Sequence, residues 1–258
     1  MSDVRCLLTP ILGSGICPDS YARDMLAPIL SLVAVLLFPV PTVADGCPDV
    51  TIVGVAGSGQ SGFGTQVEGV VDAIAASATA EGLFVESEAL DYPAISVSDS
   101  LGLVLFTGEY AESVESGVSE LRRLLSALAS DCPSTEPVIV GYSQGAEVIK
   151  RAFVGDPAPS GSGSIVLLAD PTRDPDQAGV LRLGDPAAER PGAFGAVSIP
   201  SAIRPLVIDV CAPGDGVCER GRVDFTAHTD GYEEAPSEVA PIVVARLLSR
   251  PTPALRPR

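Results

Sequence analysis

The residues of this chain that best suit chemistry surround Ser143. An apolar run at residues 138–140 is followed by G-Y-S-Q-G at 141–145, and residues 146–150 read as the start of a helix. Small residues two positions before and after a serine let the backbone turn sharply from a strand into a helix. The hydroxyl then stands at a helix N-terminus, where unpaired N–H groups favour a developing negative charge. The pattern predicts a nucleophile elbow with Ser143 as the nucleophile.

His228 is the only histidine in the chain, so it alone can supply an imidazole base to Ser143. It lies beyond the last predicted strand, in a loop predicted at residues 225–232. A solitary histidine is more often a surface or capping residue than a catalytic one. Here the order serine, aspartate, histidine along the chain is that of the α/β-hydrolases, which favours the catalytic role.

The third catalytic group should be a carboxylate that orients the imidazole. Asp215 and Asp170 both follow predicted strands, and both lie between the serine and the histidine. We favour Asp215, because a bridge between Cys211 and Cys218 would close its loop and hold the carboxylate in place. Asp170 can simply end its strand. Three weaker candidates remain: Asp209, Asp224 and Asp230.

A serine mechanism also needs N–H groups or a hydroxyl aimed at the developing oxyanion. The elbow geometry offers the backbone N–H of Gln144, and the glycine-rich loop at residues 56–64 offers Ser58. Ordinary turn chemistry is the alternative explanation for Ser58. The loop matches neither the phosphate-loop spacing nor the dinucleotide-binding spacing. We therefore expect no cofactor, and we expect no metal.

Strands and helices alternate along the chain that must position these residues. We predict five strands, at residues 50–55, 83–90, 138–140, 165–169 and 206–210, and helices at 65–80, 109–128, after the elbow and at 236–248. The alternation predicts a parallel sheet covered on both faces, in one domain at 45–250. Residues 174–200 are predicted as a long surface loop. The apolar piece at 101–106 is either a covering segment or part of a lipophilic rim.

Residues 1–44 hold the one targeting signal of the sequence. The apolar run at 26–40 is too short to span a bilayer comfortably, and it is followed by a small-residue cleavage pattern that ends at Ala44. We expect export with cleavage after Ala44, and a short membrane anchor is the alternative. Translation can start at Met1 or at Met25.

Four cysteines follow the targeting segment: Cys47, Cys132, Cys211 and Cys218. An even number in an exported chain indicates two disulfides. Four cysteines allow three pairings. The short separation of Cys211 and Cys218 favours a small closed loop, which leaves Cys47 with Cys132.

The charge of the chain excludes one class of partner. The formal net charge is −17 at pH 7, and the 16 basic residues include a single lysine, so no basic face is available to bind nucleic acid.

Hydrophobic residues make up 46% of the 258 positions, which is ample for a sizeable core. We expect residues 251–258 to form a disordered tail.

Together these features resemble the cutinase family of secreted serine esterases. The matching segments are Cys47-Pro48-Asp49-Val50, Gly57-Ser58-Gly59, Tyr92-Pro93-Ala94, the elbow, the loop from Cys211 to Cys218 and Ala227-His228. The resemblance implies a three-layer α/β/α sandwich around a five-stranded, mainly parallel sheet. It also implies the site residues reached above: the triad Ser143, Asp215 and His228, the oxyanion donors Ser58 and Gln144, and both disulfides.

The activity that the resemblance implies is hydrolysis of carboxylic esters by a secreted enzyme. The family acts on esters from short soluble compounds to cutin, so we expect an ester or lipid substrate, including substrates held at an interface. We also expect a monomer without a membrane span after cleavage. A phospholipase, thioesterase or acyltransferase is the alternative within lipid chemistry, and a non-catalytic secreted binding protein is the alternative from another class. Ala56, where the family has arginine, and the long segments 91–110 and 174–200 leave substrate choice open.

Overall fold

The computed structural model describes five stretches of the chain: residues 46–97, 108–154, 163–185, 188–221 and 225–249. The predictions made for residues 1–44, 101–106 and 251–258, and for Asp224, lie outside these stretches. Within them, no helix combines the length and the apolar character that a bilayer crossing requires.

A parallel sheet of six strands lies at the centre of the fold. The strands are β1 (Val50–Val55), β2 (Val85–Ala89), β3 (Glu136–Tyr142), β4 (Ser164–Leu168), β5 (Leu181–Gly184) and β6 (Val207–Cys211). They are ordered β2-β1-β3-β4-β6-β5, and each neighbouring pair is parallel. β1 and β4 are buried along their whole length, because apolar, β-branched runs suit a sheet covered on both faces.

β5 is the strand that the sequence did not predict, because it falls in the long loop expected at residues 174–200. The parallel α/β sandwich is confirmed, with six strands in place of five. β5 has only four residues, reads L-R-L-G and lies at the sheet edge with much of its surface exposed. So short an edge strand contains no apolar run that a sequence pattern can detect. Its pairing with β6 makes it a strand.

Helices cover both faces of the sheet. They are α1 (Thr65–Ala80), α2 (Glu109–Asp131), α3 (Gln144–Ala152), α4 (Phe225–Asp230) and α5 (Ala235–Leu248). One hydrophobic cluster joins α1 and α5 to one face, and a second cluster joins α2 and α3 to the other. In α1 the buried side chains recur at the three- and four-residue spacing of a helix face: Val67, Val70, Val71, Ile74 and Ala78.

α4 replaces the loop that the sequence predicted at residues 225–232. A helix of six residues is too short to show the periodicity by which helices are recognised. Its short length means that contacts with the rest of the fold must hold it in place.

Two disulfides connect the cysteines in the pairs expected from the sequence. Cys47 and Cys132 join the segment before β1 to the end of α2, and both are half-buried. Cys211 and Cys218 close the loop after β6, and both are almost completely buried.

Candidate active site

Ser143 lies at the sharp turn between β3 and α3. Its backbone has φ 53° and ψ −115°, a conformation that L residues rarely adopt. The turn requires glycine on both sides: a Cβ on Gly145 would clash with the carbonyl oxygen of Val55, and a Cβ on Gly141 would come within 2.5 Å of Ile149 Cδ1. The Ser143 N–H donates to the carbonyl of Leu168 at 2.9 Å. The turn therefore has the geometry of a nucleophile elbow.

Asp215 and His228 are in direct contact. Nδ1 of His228 lies 3.1 Å from each carboxylate oxygen of Asp215. Two further donors reach the same carboxylate: the N–H of Val217 to Oδ1 at 2.8 Å and the hydroxyl of Tyr232 to Oδ2 at 2.5 Å. Asp215 is fully buried, whereas 16% of the His228 side chain is exposed. A buried, fixed carboxylate on Nδ1 leaves Nε2 of the imidazole for proton transfer.

Tyr142 connects the elbow to His228. Its ring stacks on the imidazole with centroids 5.0 Å apart and planes 24° apart, and its hydroxyl donates to the His228 carbonyl at 2.7 Å. The ring also packs edge-on against Tyr232. A Cβ on Gly57 would come within 2.5 Å of Tyr142 Cδ1, so the loop after β1 packs against the same ring. Tyr142 thus packs against the imidazole of His228, the ring of Tyr232 and the loop after β1.

The two predicted oxyanion donors belong to the start of α3 and to the loop after β1. Gln144 is the first residue of α3, so its backbone N–H belongs to the helix-terminal donors that lack a helical partner. Ser58 is half-buried inside a turn in which the Gln60 N–H donates to the Gly57 carbonyl at 3.1 Å. The Gly59 N–H donates to the Ala94 carbonyl at 2.6 Å, which fixes the far side of the turn.

The other carboxylates considered from the sequence are engaged elsewhere. Asp170 accepts from Lys150 Nζ at 2.6 Å and from both the N–H and the hydroxyl of Thr172. Asp209 accepts from Arg173 Nε at 2.9 Å, and burial raises its pKa while Arg173 opposes that rise. Asp230 is exposed at the end of α4. Of the candidates that the structure describes, only Asp215 is shown in contact with His228.

Two tyrosines of the site received no role from sequence reasoning. Tyr232 donates to Asp215 and accepts from the Ala212 N–H at 3.2 Å, and Tyr142 stacks on the imidazole. Tyr142 belongs to the predicted elbow and Tyr232 ends the loop predicted at residues 225–232, but no spacing rule predicts where a tyrosine hydroxyl points across the fold. The signal would have been two tyrosines close in sequence to the serine and the histidine. In the described stretches, no group of three or more His, Cys, Asp or Glu side chains could hold a metal ion.

The comparisons with known proteins match this chain to carboxylic ester hydrolases. A family model described as Cutinase matches residues 46–247. The probable carboxylesterase Culp3 of Mycobacterium tuberculosis is 30% identical over 222 residues, which cover 82% of this chain and 74% of that protein. Acetylxylan esterase 2 of Talaromyces purpureogenus is 29% identical over 217 residues, covering 75% and 85%. A solved acetylxylan esterase structure superposes with a TM-score of 0.62 at 25% identity, covering 78% of this chain and 99% of that one.

Four tyrosine hydroxyls, two of them in the site, should remain protonated at alkaline pH. Burial raises the pKa of Tyr232 well above 10.0, with the negative charge of Asp215 adding to the effect. Burial and then Asp215 likewise raise the pKa of Tyr142, and burial and then Glu147 raise those of Tyr92 and Tyr110. The unfolded chain loses these protons near pH 10, whereas the native state keeps them. The contribution of these tyrosines to the free energy of unfolding is therefore fully present below pH 10 and is lost as the pH rises further.

Replacing one tyrosine should change this pH dependence by one proton. We expect Tyr232→Phe to reduce the fall in unfolding free energy above pH 10.5 by about 1.4 kcal/mol per pH unit, because one fewer group ionises only on unfolding. Urea unfolding at several pH values measures the slope. Below pH 9 the variant and the wild type should show the same slope, which serves as the internal control. An unchanged slope at pH 11 would contradict the account.

Proposed function

We propose that this chain, which belongs to the cutinase family, hydrolyses carboxylic esters through an acyl-enzyme on Ser143. Its relatives are named carboxylesterase, acetylxylan esterase and cutinase, all carboxylic ester hydrolases, which is the class of this chain. The observation that carries the proposed mechanism is the contact of His228 Nδ1 with both oxygens of buried Asp215, beside a strained elbow that presents a serine.

Acylation begins with the Ser143 hydroxyl. Nε2 of His228 takes the hydroxyl proton while Oγ forms a bond to the carbonyl carbon of the ester. The resulting imidazolium is stabilised by Asp215, whose orientation is fixed by the N–H of Val217 and the hydroxyl of Tyr232. When the tetrahedral intermediate collapses, the bond to the leaving alkoxide breaks and the imidazolium gives it the proton. An alcohol leaves, and Ser143 carries the acyl group.

The negative oxygen of the tetrahedral intermediate needs donors that are already in place. We assign this role to the backbone N–H of Gln144 and to Ser58, because the elbow and the turn after β1 leave neighbouring strands of the sheet. Water then repeats the attack on the acyl-enzyme with His228 as its base, which releases the acid and restores the serine.

The same proposal places the protein outside the cytoplasm. Two disulfides support this location, because oxidised cysteine pairs persist mainly in exported proteins. The apolar run at residues 26–40 and the small-residue pattern ending at Ala44 supply a signal for export.

Export makes a prediction about the mature N-terminus. Protein recovered outside the cytoplasm should begin at Asp45, because cleavage follows Ala44. N-terminal sequencing or intact mass measurement checks this directly. A chain that starts upstream of residue 26 or stays in the membrane fraction would show that the segment is an anchor instead.

Loss of the nucleophile should abolish hydrolysis. We expect Ser143→Ala to lower kcat for a short-chain p-nitrophenyl ester by at least about 10⁴-fold, since the proposed acyl-enzyme forms on the Ser143 hydroxyl. Ser61→Ala is the matched control: Ser61 is exposed on the loop after β1, and its replacement should leave kcat unchanged. Full activity of Ser143→Ala would overturn the proposed mechanism.

Removal of one disulfide should mainly lower the stability of the protein, and removal of the other should mainly lower its activity. Cys47–Cys132 spans 85 residues and Cys211–Cys218 spans 7, so loop entropy gives about 4–5 and about 2 kcal/mol of stabilisation respectively. Only the second closes the loop that holds Asp215. The Cys47→Ala/Cys132→Ala variant should therefore lose more stability, whereas the Cys211→Ala/Cys218→Ala variant should lose about tenfold or more in kcat.

Urea unfolding and ester hydrolysis, both measured on the two double variants, check this opposite ranking. Each variant serves as the control for the other. Unchanged kcat without the 211–218 bridge would show that Asp215 is held by its hydrogen bonds alone.

A further inference from the structure

We propose that Gln60 and Gln66 form a positioning pair. The pair sets the distance between the turn that holds Ser58 and α4, the helix that carries His228. The inference rests on the proposed function, because both parts must act on one tetrahedral intermediate. Neither glutamine touches the reacting atoms in this scheme. They act through the groups that do.

Gln60 fixes the turn that holds Ser58. Its side-chain oxygen accepts from the Gly57 N–H at 2.8 Å, while its own N–H donates to the Gly57 carbonyl at 3.1 Å. Both polar groups of Gly57 are thereby bound to one residue. The orientation of the peptide between Gly57 and Ser58 follows from this, and with it the direction of the Ser58 N–H. Gly64 leaves room for the arrangement, because a Cβ there would come within 2.8 Å of Gln60 Cδ.

Gln66 continues the connection to the other side of the site. Gln60 Nε2 donates to Gln66 Oε1 at 2.7 Å, and Gln66 Nε2 donates to the Thr229 carbonyl at 2.7 Å. The two amide orientations are determined by the ends of the chain: the Gly57 N–H can only donate and the Thr229 carbonyl can only accept. All three hydrogen bonds therefore run head to tail, an arrangement in which each bond polarises and strengthens the next.

The contact with Thr229 matters because α4 cannot hold its own position. A helix of six residues leaves its last carbonyls without helical partners. Side chains from elsewhere take two of them: Tyr142 donates to the His228 carbonyl and Gln66 donates to the Thr229 carbonyl. Gln66 is well suited to this task, because the next residue on α1, Val67, is fully buried in the core and anchors the helix.

The pair thus joins the turn that holds Ser58 to α4, which carries His228, by three hydrogen bonds, with Gln66 held on α1. A shift in either part would misplace the oxyanion donor relative to the imidazole. Errors of about 1 Å in such positions cost up to about 100-fold in rate. The loss should appear in kcat, because the geometry matters most in the transition state, where the charge develops.

The test uses Gln66→Ala, Gln60→Ala and the double variant in the full chain. We expect each single variant to lower kcat for a p-nitrophenyl ester by about tenfold with KM within twofold of wild type. If the two residues act as one connection, the double variant should lose no more than the worse single variant. Gln66→Glu should lose activity as well, because a carboxylate accepts from Gln60 but cannot donate to Thr229.

Thr65→Ala is the matched control on the same turn of α1. Thr65 is exposed, and its replacement should leave kcat and the melting temperature unchanged. Losses that multiply in the double variant, a loss confined to KM, or normal kcat in Gln66→Ala would each overturn the proposal. Activity losses that only follow a lowered melting temperature would overturn it too.

Failure of this inference differs from failure of the proposed function. If wild type hydrolyses the ester with a requirement for Ser143 while Gln66→Ala matches wild type, only the positioning pair is disproved. If wild type does not hydrolyse esters, or Ser143→Ala does, both proposals fall together.

Discussion

The rest of the site depends on one constraint: the backbone of the elbow passes very close to the backbone at the end of β1. Gly145 lies so near the Val55 carbonyl that no side chain fits between them. β1 and β3 are parallel neighbours with Val55 paired to Gly141, so both chains leave the sheet at the same level. The loop after β1 and the start of α3 therefore emerge side by side. The crossing brings Gly145, next to Gln144, against the end of β1, where the loop that carries Ser58 begins. Gln144 and Ser58 are the proposed oxyanion donors.

The proposed acid and base belong to segments that follow β6, on the side of β3 opposite to β1 in the strand order. The strand order places β4 between β3 and β6, so the loop after β6 must bring Asp215 across the width of one strand. The Cys211–Cys218 bridge holds that loop, and Tyr232 and Val217 fix the carboxylate inside it. The ring of Tyr142 fills the space between this carboxylate system and the elbow. Packing and hydrogen bonding at one tyrosine thus bring together parts of the chain that lie far apart in sequence.

The proposed reacting groups could be selected from the sequence because each is constrained by local chemistry. Glycines flank Ser143 for steric reasons, His228 is the only imidazole, and cysteines bracket Asp215. Five strands and four of the helices were readable from periodicity and apolar runs. β5 and α4 were not, because four and six residues are too few to show a period, and tertiary pairing or capping creates them.

The supporting residues were hidden for a related reason. Tyr232, Gln60 and Gln66 act through hydrogen bonds whose partners are 3 to 163 positions away, and no local pattern encodes the direction of such bonds. Asp170 shows the converse: its place after a strand suited a catalytic acid, but a buried lysine takes its carboxylate. Sequence reasoning identifies which groups can react, whereas packing decides which of them meet.

Covalent labelling tests the central claim, that Ser143 is a nucleophile activated by His228, most directly. Wild-type protein incubated with an alkyl p-nitrophenyl phosphonate should gain one phosphonyl group in its intact mass spectrum, and peptide mapping should place it on Ser143. His228→Ala should remain unlabelled over the same time. The absence of an adduct on folded wild-type protein, or an adduct on another residue, would contradict the account.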